Sequence, residues 1–146
     1  MAAFSLKDKE KMISQGGRRL IVFDHVDKYY GDFHVLKDIN LEIEKGEVVV
    51  VIGPSGSGKS TMLRCINHLE TIDKGVLKVN QTPVNDKKTN INHLRRDIGM
   101  VFQHFYLYPH KTVLQNITLA PMKVLGKSKE EAEKTARFYL EKVGIP

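Results

Sequence analysis

Short apolar runs in the first half of the chain predict β-strands. Residues 20–23 are continuously apolar, and apolar residues alternate with polar ones towards the end of 35–43. The segment 30–32 predicts a turn between these two strands. The run 48–52 is continuous and rich in valine, so it predicts a strand covered on both faces, which is typical of a parallel sheet.

The pattern changes after residue 58. Apolar residues at helical spacing predict a helix from Lys59 to about Leu69. Residues 76–79 predict a short strand, 80–92 a polar loop, and 98–102 a further strand that ends at Gln103.

Two helix starts are visible in the last third of the chain. Residues 112–115 (TVLQ) fit a capping box that opens a short helix, and residues 128–131 (SKEE) fit a better one. We expect the second helix to end at Gly144. Its apolar face is predicted to consist of Ala132, Ala136, Tyr139, Leu140 and Val143.

Residues 1–19 predict a flexible N-terminal extension, because they are rich in lysine and arginine and poor in apolar groups. A capped helical turn at 5–8 is the weaker alternative. The remaining residues, 20–146, predict one α/β domain. At 146 residues the chain is long enough to bury a sizeable core.

Composition narrows the function classes only modestly. Hydrophobic residues make up 41% of the chain and charged residues 27%, as in an ordinary globular protein. No apolar run approaches the roughly 18 residues of a membrane span, and the charged N-terminus is unlike a secretion signal. The single cysteine, Cys65, fits a reducing cytoplasm. The net charge of +6 permits an anionic partner without choosing one.

The segment GPSGSGKST carries the chemistry. It matches the P-loop pattern G-x-x-x-x-G-K-[ST] and lies between the predicted strand 48–52 and the predicted amphipathic helix. Glycines allow backbone N–H groups to converge on a phosphate, and the start of the helix adds its dipole. A Gly/Ser-rich linker is the alternative, which this context disfavours. The predicted nucleotide-binding residues here are Gly53, Pro54, Ser55, Gly56, Ser57, Gly58, Lys59, Ser60 and Thr61.

Two of these side chains have specific roles in this prediction. The charge of Lys59 compensates the β- and γ-phosphates of a triphosphate, and the hydroxyl of Ser60 suits Mg²⁺, which prefers oxygen ligands. A triphosphate with Mg²⁺ is therefore the expected ligand of this loop.

The segments GPSGSGKSTMLRCINHLE and MVFQHFYLYPHKTVLQNI, with Tyr29-Tyr30-Gly31 before them, resemble the ATP-binding subunit of an ABC transporter. The resemblance extends from about Leu20 to the end of the chain. LRCINHLE and FQHFYLYPH are most similar to the branch that energises polar amino-acid importers. The fold implied is a P-loop NTPase domain with an antiparallel β subdomain and the start of a helical subdomain.

The resemblance also implies roles for residues outside the P-loop. Tyr30 takes the position of the aromatic residue that stacks on adenine, with ordinary strand packing as its alternative. Gln103 takes the position of a glutamine that ligates Mg²⁺ or orients the attacking water, and so counts with Lys59 as a catalytic residue. The implied partners are a transmembrane permease subunit and a second ATP-binding subunit in a head-to-tail dimer, at the cytoplasmic face of the membrane.

Three elements of the resembled family do not occur in this sequence: the LSGGQ-like signature segment, the apolar strand that ends in Asp-Glu, and the later switch histidine. We therefore expect the chain to represent the N-terminal portion of such a domain. We expect it to bind nucleotide weakly and not to hydrolyse it at a useful rate.

The sequence disfavours some other functions and leaves two open. A GTPase would need an N-K-x-D-like motif, which does not occur. An ABC-type ATPase module outside transport, and an inert fragment that only binds nucleotide, stay open. Nucleic-acid binding rests on charge alone, and we expect none. A metal site from His104 and His110 is disfavoured against surface exposure.

Overall fold

The computed structural model describes residues 19–104 and 106–145. It divides into two compact units between Leu94 and Arg95, and each unit is described by itself. In the described ranges, no helix has the length and apolar character needed to cross a membrane. The predicted extension lies outside the described residues except for Arg19, which begins the first strand.

The first unit contains a four-stranded antiparallel sheet. Its strands are β1 (Arg19–Tyr30), β2 (Phe33–Glu44), β3 (Lys74–Val79) and β4 (Thr82–Pro83), in the spatial order β2-β1-β3-β4. The predicted strands at 20–23, 35–43 and 76–79 and the turn at 30–32 are confirmed. The first two strands are longer than predicted because each continues through a bulge.

The bulges shape the centre of the sheet. Phe23 pairs with Leu41 and Val26 with Ile39, so β1 has one extra residue there, and His25 takes a left-handed conformation with φ 49°. The extra residue shifts the side chains of β1 from one face to the other. As a result Val26 and Lys28, like Phe23, become buried.

Gly75 lies opposite this bulge inside β3. Its φ is +81°, and a Cβ at this position would lie 2.2 Å from the carbonyl oxygen of His25. Only glycine can occupy this position without displacing the backbone of β1.

Helix α1 (Lys59–Ile66) contacts β2 and β3 and buries Met62, Cys65 and Ile66. It ends three residues before the predicted Leu69, because the chain turns at 67–68. Burial removes apolar surface from water, which is the main stabilising contribution to such a core. The buried apolar residues of this unit are Phe23, Val26, Leu36, Met62, Cys65, Ile66, Leu77, Val79, Val84 and Leu94.

Two predicted strands are wrong. Residues 48–52 and 98–102 have no regular secondary structure. Val48, Val50 and Ile52 are 92%, 77% and 87% exposed. A strand that is covered on both faces needs neighbours at its edges, and no strand of the described sheet pairs with residues 48–52. The predicted loop at 80–92 also contains β4 and the beginning of a short helix, α2 (Ile91–Arg96).

The second unit contains two packed helices, α3 (Val113–Val124) and α4 (Lys129–Lys142). The capping box at the start of α3 is confirmed: Thr112 Oγ1 accepts a hydrogen bond from the Gln115 backbone N–H, and Gln115 Oε1 accepts one from the Thr112 N–H. At α4 only the bond from the Glu131 N–H to Ser128 Oγ forms among the described residues. The capping box of α3 is therefore the more complete of the two, and the prediction that residues 128–131 form the better box is wrong.

The end of α4 agrees with the prediction. Gly144 has φ 76°, its N–H donates to the Glu141 carbonyl oxygen, and the Ile145 N–H donates to that of Leu140. These two bonds form a Schellman motif, which stops the helix. The predicted apolar face is only partly buried, since Ala132 and Ala136 are buried while Tyr139 and Val143 are exposed.

Candidate functional site

The P-loop glycines lie in the first unit, immediately before α1. Gly58 caps the helix with φ 90° and ψ 2°, a left-handed conformation. A Cβ on Gly58 would lie 3.0 Å from Val35 Cγ1, 3.1 Å from Leu36 Cδ2 and 3.2 Å from the Val35 carbonyl oxygen. The loop therefore lies directly on β2, and a larger residue would push it away from the sheet.

The ammonium of Lys59 is enclosed by its own loop. Lys59 Nζ donates to the carbonyl oxygens of Gly53, at 2.9 Å, and Pro54, at 2.7 Å, and lies 3.5 Å from Ser57 Oγ. The lysine is half-buried, while the loop residues 53–57 are exposed. The positive charge of Lys59 thus lies at the centre of an exposed backbone loop, where neutral carbonyl oxygens bind it. An anion would bind this ammonium more strongly than these carbonyls do.

The N-terminus of α1 is open towards solvent. Among the described residues, no side chain caps it, and its first turn carries no acidic residue. The positive end of the helix dipole and the unpaired backbone N–H groups favour an anion at this position. Ser60 beside it is exposed and Thr61 is half-buried, and both carry a hydroxyl group. The residues present therefore fit the phosphate groups of a nucleotide.

Tyr29 and Tyr30 differ in their surroundings. The Tyr29 ring stacks on His34, with 4.1 Å between ring centroids and an interplanar angle of 13°. Tyr30 ends β1, is 44% exposed, and has Lys28 Nζ 5.1 Å from its ring centroid. Tyr29 is therefore engaged in packing within the sheet, whereas much of the Tyr30 side chain remains accessible to a ligand.

Gln103 lies in the second unit, in the irregular segment that follows α2. Its side chain is exposed, and the strand that was predicted to position it does not form. His104 and His110 are also exposed, and each ring contacts a different tyrosine, Tyr106 and Tyr108 respectively. In the part of the chain that the structure describes, no group of three or more acidic, histidine or cysteine residues could hold a metal ion.

Hydrogen bonds between the bulged segments of β1 and β2 shift several pKa values. His25 Nδ1 lies 2.6 Å from Asp38 Oδ1, which raises the pKa of His25 and lowers that of Asp38. Asp27 accepts from the Asp38 N–H at 2.9 Å and contacts His34 Nε2 at 2.7 Å, which lowers the pKa of Asp27. This network stabilises the two bulges against each other.

Cys65 is a packed core side chain. It is fully buried on α1, and burial raises the pKa of its thiol to about 11, against a smaller opposing effect of the Lys28 charge. Because the thiolate is the reactive form, this cysteine is chemically inert in the folded chain.

Four residues that hold these segments in place are not among the predicted site residues: Lys28, Asp73, Gly75 and Asn116. Asn116 binds the segment before α3, since its Oδ1 accepts from the Tyr108 N–H and its Nδ2 donates to the Lys111 and Thr112 carbonyl oxygens. Lys28, Asp73 and Gly75 belong to no motif, whereas Asn116 lies in the segment MVFQHFYLYPHKTVLQNI, which carries the family resemblance. The register of β1, had it been known, would have placed Lys28 on the buried side.

Comparison with known proteins gives consistent matches. A family model described as "ABC transporter" matches residues 36–146. The glutamine transport ATP-binding protein GlnQ of Bacillus subtilis (strain 168) is 73% identical over 127 residues, which cover 87% of this chain and 52% of that protein. The glutamate/glutamine/aspartate/asparagine transport ATP-binding protein BztD of Rhodobacter capsulatus is 53% identical over 126 residues, covering 86% and 48%.

A solved structure agrees with these sequence matches. It is a dimeric ATP-binding cassette in a post-hydrolysis state, bound to ADP and Pi, with a TM-score of 0.74 and 38% identity over 84% of this chain and 56% of that one. The chain thus spans about half the length of the curated relatives it matches.

Proposed function

Because the chain belongs to the ABC transporter family, we propose that it forms part of the ATP-binding component of a transporter for polar amino acids. The names of GlnQ and BztD, which refer to glutamine, glutamate, aspartate and asparagine transport, support this substrate class. The transported solute would be recognised by other subunits, so its identity rests on these relatives alone.

The geometry of the P-loop is the observation that carries the proposal. Gly58 holds the loop on β2, α1 presents an uncapped N-terminus within the described residues, and the Lys59 ammonium lies at the loop centre. These three features together favour a bound polyphosphate. A polyphosphate offers Lys59 charge-assisted bonds that are stronger than its present bonds to neutral carbonyls.

Each site residue has a proposed role in nucleotide binding. The backbone of residues 53–61 surrounds the phosphates, and Lys59 neutralises part of their charge. Ser60 would contribute a hydroxyl ligand for Mg²⁺. For Gln103 the family resemblance implies an amide oxygen that would serve the metal or the attacking water. Tyr30 stacks on the adenine. When bound, MgATP would supply the phosphoanhydride bond whose hydrolysis drives transport.

The proposed partners follow from the family. We place the chain at the cytoplasmic face of the membrane as a peripheral component that contacts a transmembrane permease subunit. A second ATP-binding subunit completes the nucleotide site in a head-to-tail dimer, and the dimeric solved relative supports such pairing. Among the described strands, none ends in paired carboxylates, so nucleotide binding, rather than turnover, is the activity to measure.

Binding of a fluorescent ATP analogue to the purified chain with Mg²⁺ tests the proposal. We expect saturable binding, and we expect Lys59→Ala to weaken it about tenfold or more, since a hydrogen bond to a charged group contributes about 1.5–3 kcal/mol. Lys45→Ala, in the exposed turn after β2, is the matched control and should bind as wild type.

Circular dichroism of all three proteins separates loss of binding from loss of fold. Equal affinity in the wild type and Lys59→Ala would contradict the proposal. So would the absence of binding by a wild-type chain whose spectrum shows helix and sheet.

A further inference from the structure

A lysine is buried next to the exposed aromatic ring at the end of β1. Lys28 is 7% exposed, although lysine is among the residues that are almost never fully buried without a partner. Its Nζ lies 3.7 Å from Asp73 Oδ2 and 5.1 Å from the centroid of the Tyr30 ring. The latter distance is within the range of about 6 Å over which a cation is attracted to an aromatic face.

Asp73 fixes this arrangement from the segment before β3. Its Oδ2 accepts a hydrogen bond of 2.7 Å from the Tyr29 N–H, and its own N–H donates to the Asp27 carbonyl oxygen at 2.9 Å. These bonds lie on either side of Lys28 along β1. The carboxylate that faces Lys28 Nζ is therefore held by the backbone of β1 itself.

The stability of the fold does not account for this lysine. Removing an ammonium from water is costly, and a buried ion pair is often no more stabilising than well-packed apolar side chains. The distance of 3.7 Å between Lys28 Nζ and Asp73 Oδ2 is also longer than the roughly 2.8 Å of a strong charge-assisted hydrogen bond. The Asp73 carboxylate already has the Tyr29 N–H as a partner. What Lys28 adds is its contact with the Tyr30 ring.

We propose that Lys28, held by Asp73, is a positioning residue that orients the Tyr30 ring as the surface on which the purine of a nucleotide stacks. This inference rests on the proposed nucleotide binding and extends it to residues of the sheet. Tyr29 does not compete for this role, because its ring is stacked on His34 and has Lys74 Nζ 5.7 Å from its centroid.

Calorimetric titration with ATP and with inorganic tripolyphosphate, both with Mg²⁺, tests the proposal. Tripolyphosphate has no base, so it reports on the P-loop alone. We expect Lys28→Met, which keeps an unbranched side chain, to weaken ATP binding about threefold to tenfold. Tripolyphosphate binding should not change. Lys28→Arg retains a cation and should restore most of the ATP affinity.

Two further comparisons separate positioning from a structural effect. Lys78→Met, at an exposed position of β3, is the matched control and should leave both affinities unchanged. In a Tyr30→Ala background, Lys28→Met should have no further effect on ATP binding, because a residue that acts through the ring loses its effect when the ring is absent.

Each remaining outcome overturns the inference. ATP affinity unchanged by Lys28→Met, an equal loss for ATP and tripolyphosphate, or a loss that persists in the Tyr30→Ala background would each do so. Should Tyr30→Ala leave ATP affinity unchanged while tripolyphosphate binds, the stacking surface is wrong but the phosphate site stands. If the folded wild-type chain binds neither ligand, the proposed function fails together with the inference.

Discussion

At the scale of single residues, the chain brings backbone segments unusually close together. Gly58 allows the P-loop to lie on β2, and Gly75 allows β3 to approach the bulge of β1. On the opposite side of that bulge, His25 and Asp38 both take left-handed conformations, with φ 49° and 48°. A hydrogen bond joins their side chains. The position of the loop on β2 and the close approach of β3 to β1 depend on these few contacts.

Gly58→Ala should destabilise the chain more than Gly56→Ala. Both glycines have positive φ, which costs an alanine about 1–2 kcal/mol. Gly56 has no atom within 4 Å of a Cβ, whereas Gly58 faces the Val35 carbonyl oxygen at 3.2 Å. We expect urea unfolding to show a further loss of about 1 kcal/mol for Gly58→Ala. Equal losses would mean that the loop does not rest on β2.

The contact between His25 and Asp38 should make stability depend on pH. Folding raises the pKa of His25, so the protonated ring stabilises the fold fully below about pH 6.5. This contribution is lost as the pH rises through the pKa that His25 has in the folded chain. Folding lowers the pKa of Asp38, so its carboxylate stabilises the fold above about pH 3.8. This contribution is lost as the pH falls through the pKa that Asp38 has in the folded chain. The pair therefore stabilises the fold most between these limits.

Thermal unfolding of Asp38→Asn measures this dependence. The difference in Tm between wild type and variant should be larger at about pH 5.5 than at about pH 8.5. Asp32→Asn, in the hairpin turn between β1 and β2, is the control and should show no such trend. A difference in Tm that does not vary with pH would contradict the assignment.

At the scale of secondary-structure elements, the ends of the helices are set by local hydrogen bonds. The N-terminus of α3 is satisfied by the reciprocal bonds of Thr112 and Gln115, and the preceding segment is tied to the helix by Asn116. The N-terminus of α1, in contrast, has no side-chain cap among the described residues. This difference fits a helix start that leaves its N–H groups to a ligand.

Thr112→Ala should destabilise α3. Loss of the bond from the Gln115 N–H to Thr112 Oγ1 leaves a helix donor without its partner, at a cost of about 1 kcal/mol. Thr112→Ser keeps the hydroxyl and should unfold nearly as wild type. Urea titration followed by far-UV circular dichroism measures both variants. Similar losses for the alanine and serine variants would show that the cap is not formed.

At the scale of the whole molecule, the described chain is an antiparallel sheet with α1 on it and a separate pair of helices. The run 48–52 leads into the P-loop without joining the sheet, and its residues are 36–92% exposed. Contiguous exposed apolar segments with high β-propensity favour association with other chains. We therefore expect this run to dominate the solution behaviour of the chain.

Val50→Lys should raise the protein concentration at which the chain begins to self-associate, because it places a charge in the middle of this run. Val143→Lys, a similarly exposed valine at the end of α4 (69% exposed, against 77% for Val50), is the matched control. Light scattering as a function of concentration compares the two with wild type. An equal effect of both variants would indicate that net charge, rather than the run itself, controls association.

The sequence by itself determined the parts of this protein that depend on local chemistry. The P-loop pattern, the hairpin at 30–32, the cap of α3 and the glycine that ends α4 require only particular residue types at short spacing. These features were therefore recognisable without coordinates. The P-loop together with the segments that flank it also carried the resemblance to the family, and the comparisons confirm that family.

The tertiary structure decided the features that depend on partners distant in the chain. Residues 48–52 and 98–102 have strand-like composition, but a strand forms only where a neighbour supplies its hydrogen bonds. The burial of Lys28 depends on the bulge in β1, which shifts the side chains that follow it to the other face. The contacts of Gly58 with β2 and of Asp73 with β1 join residues more than 20 positions apart, so no local pattern could predict them.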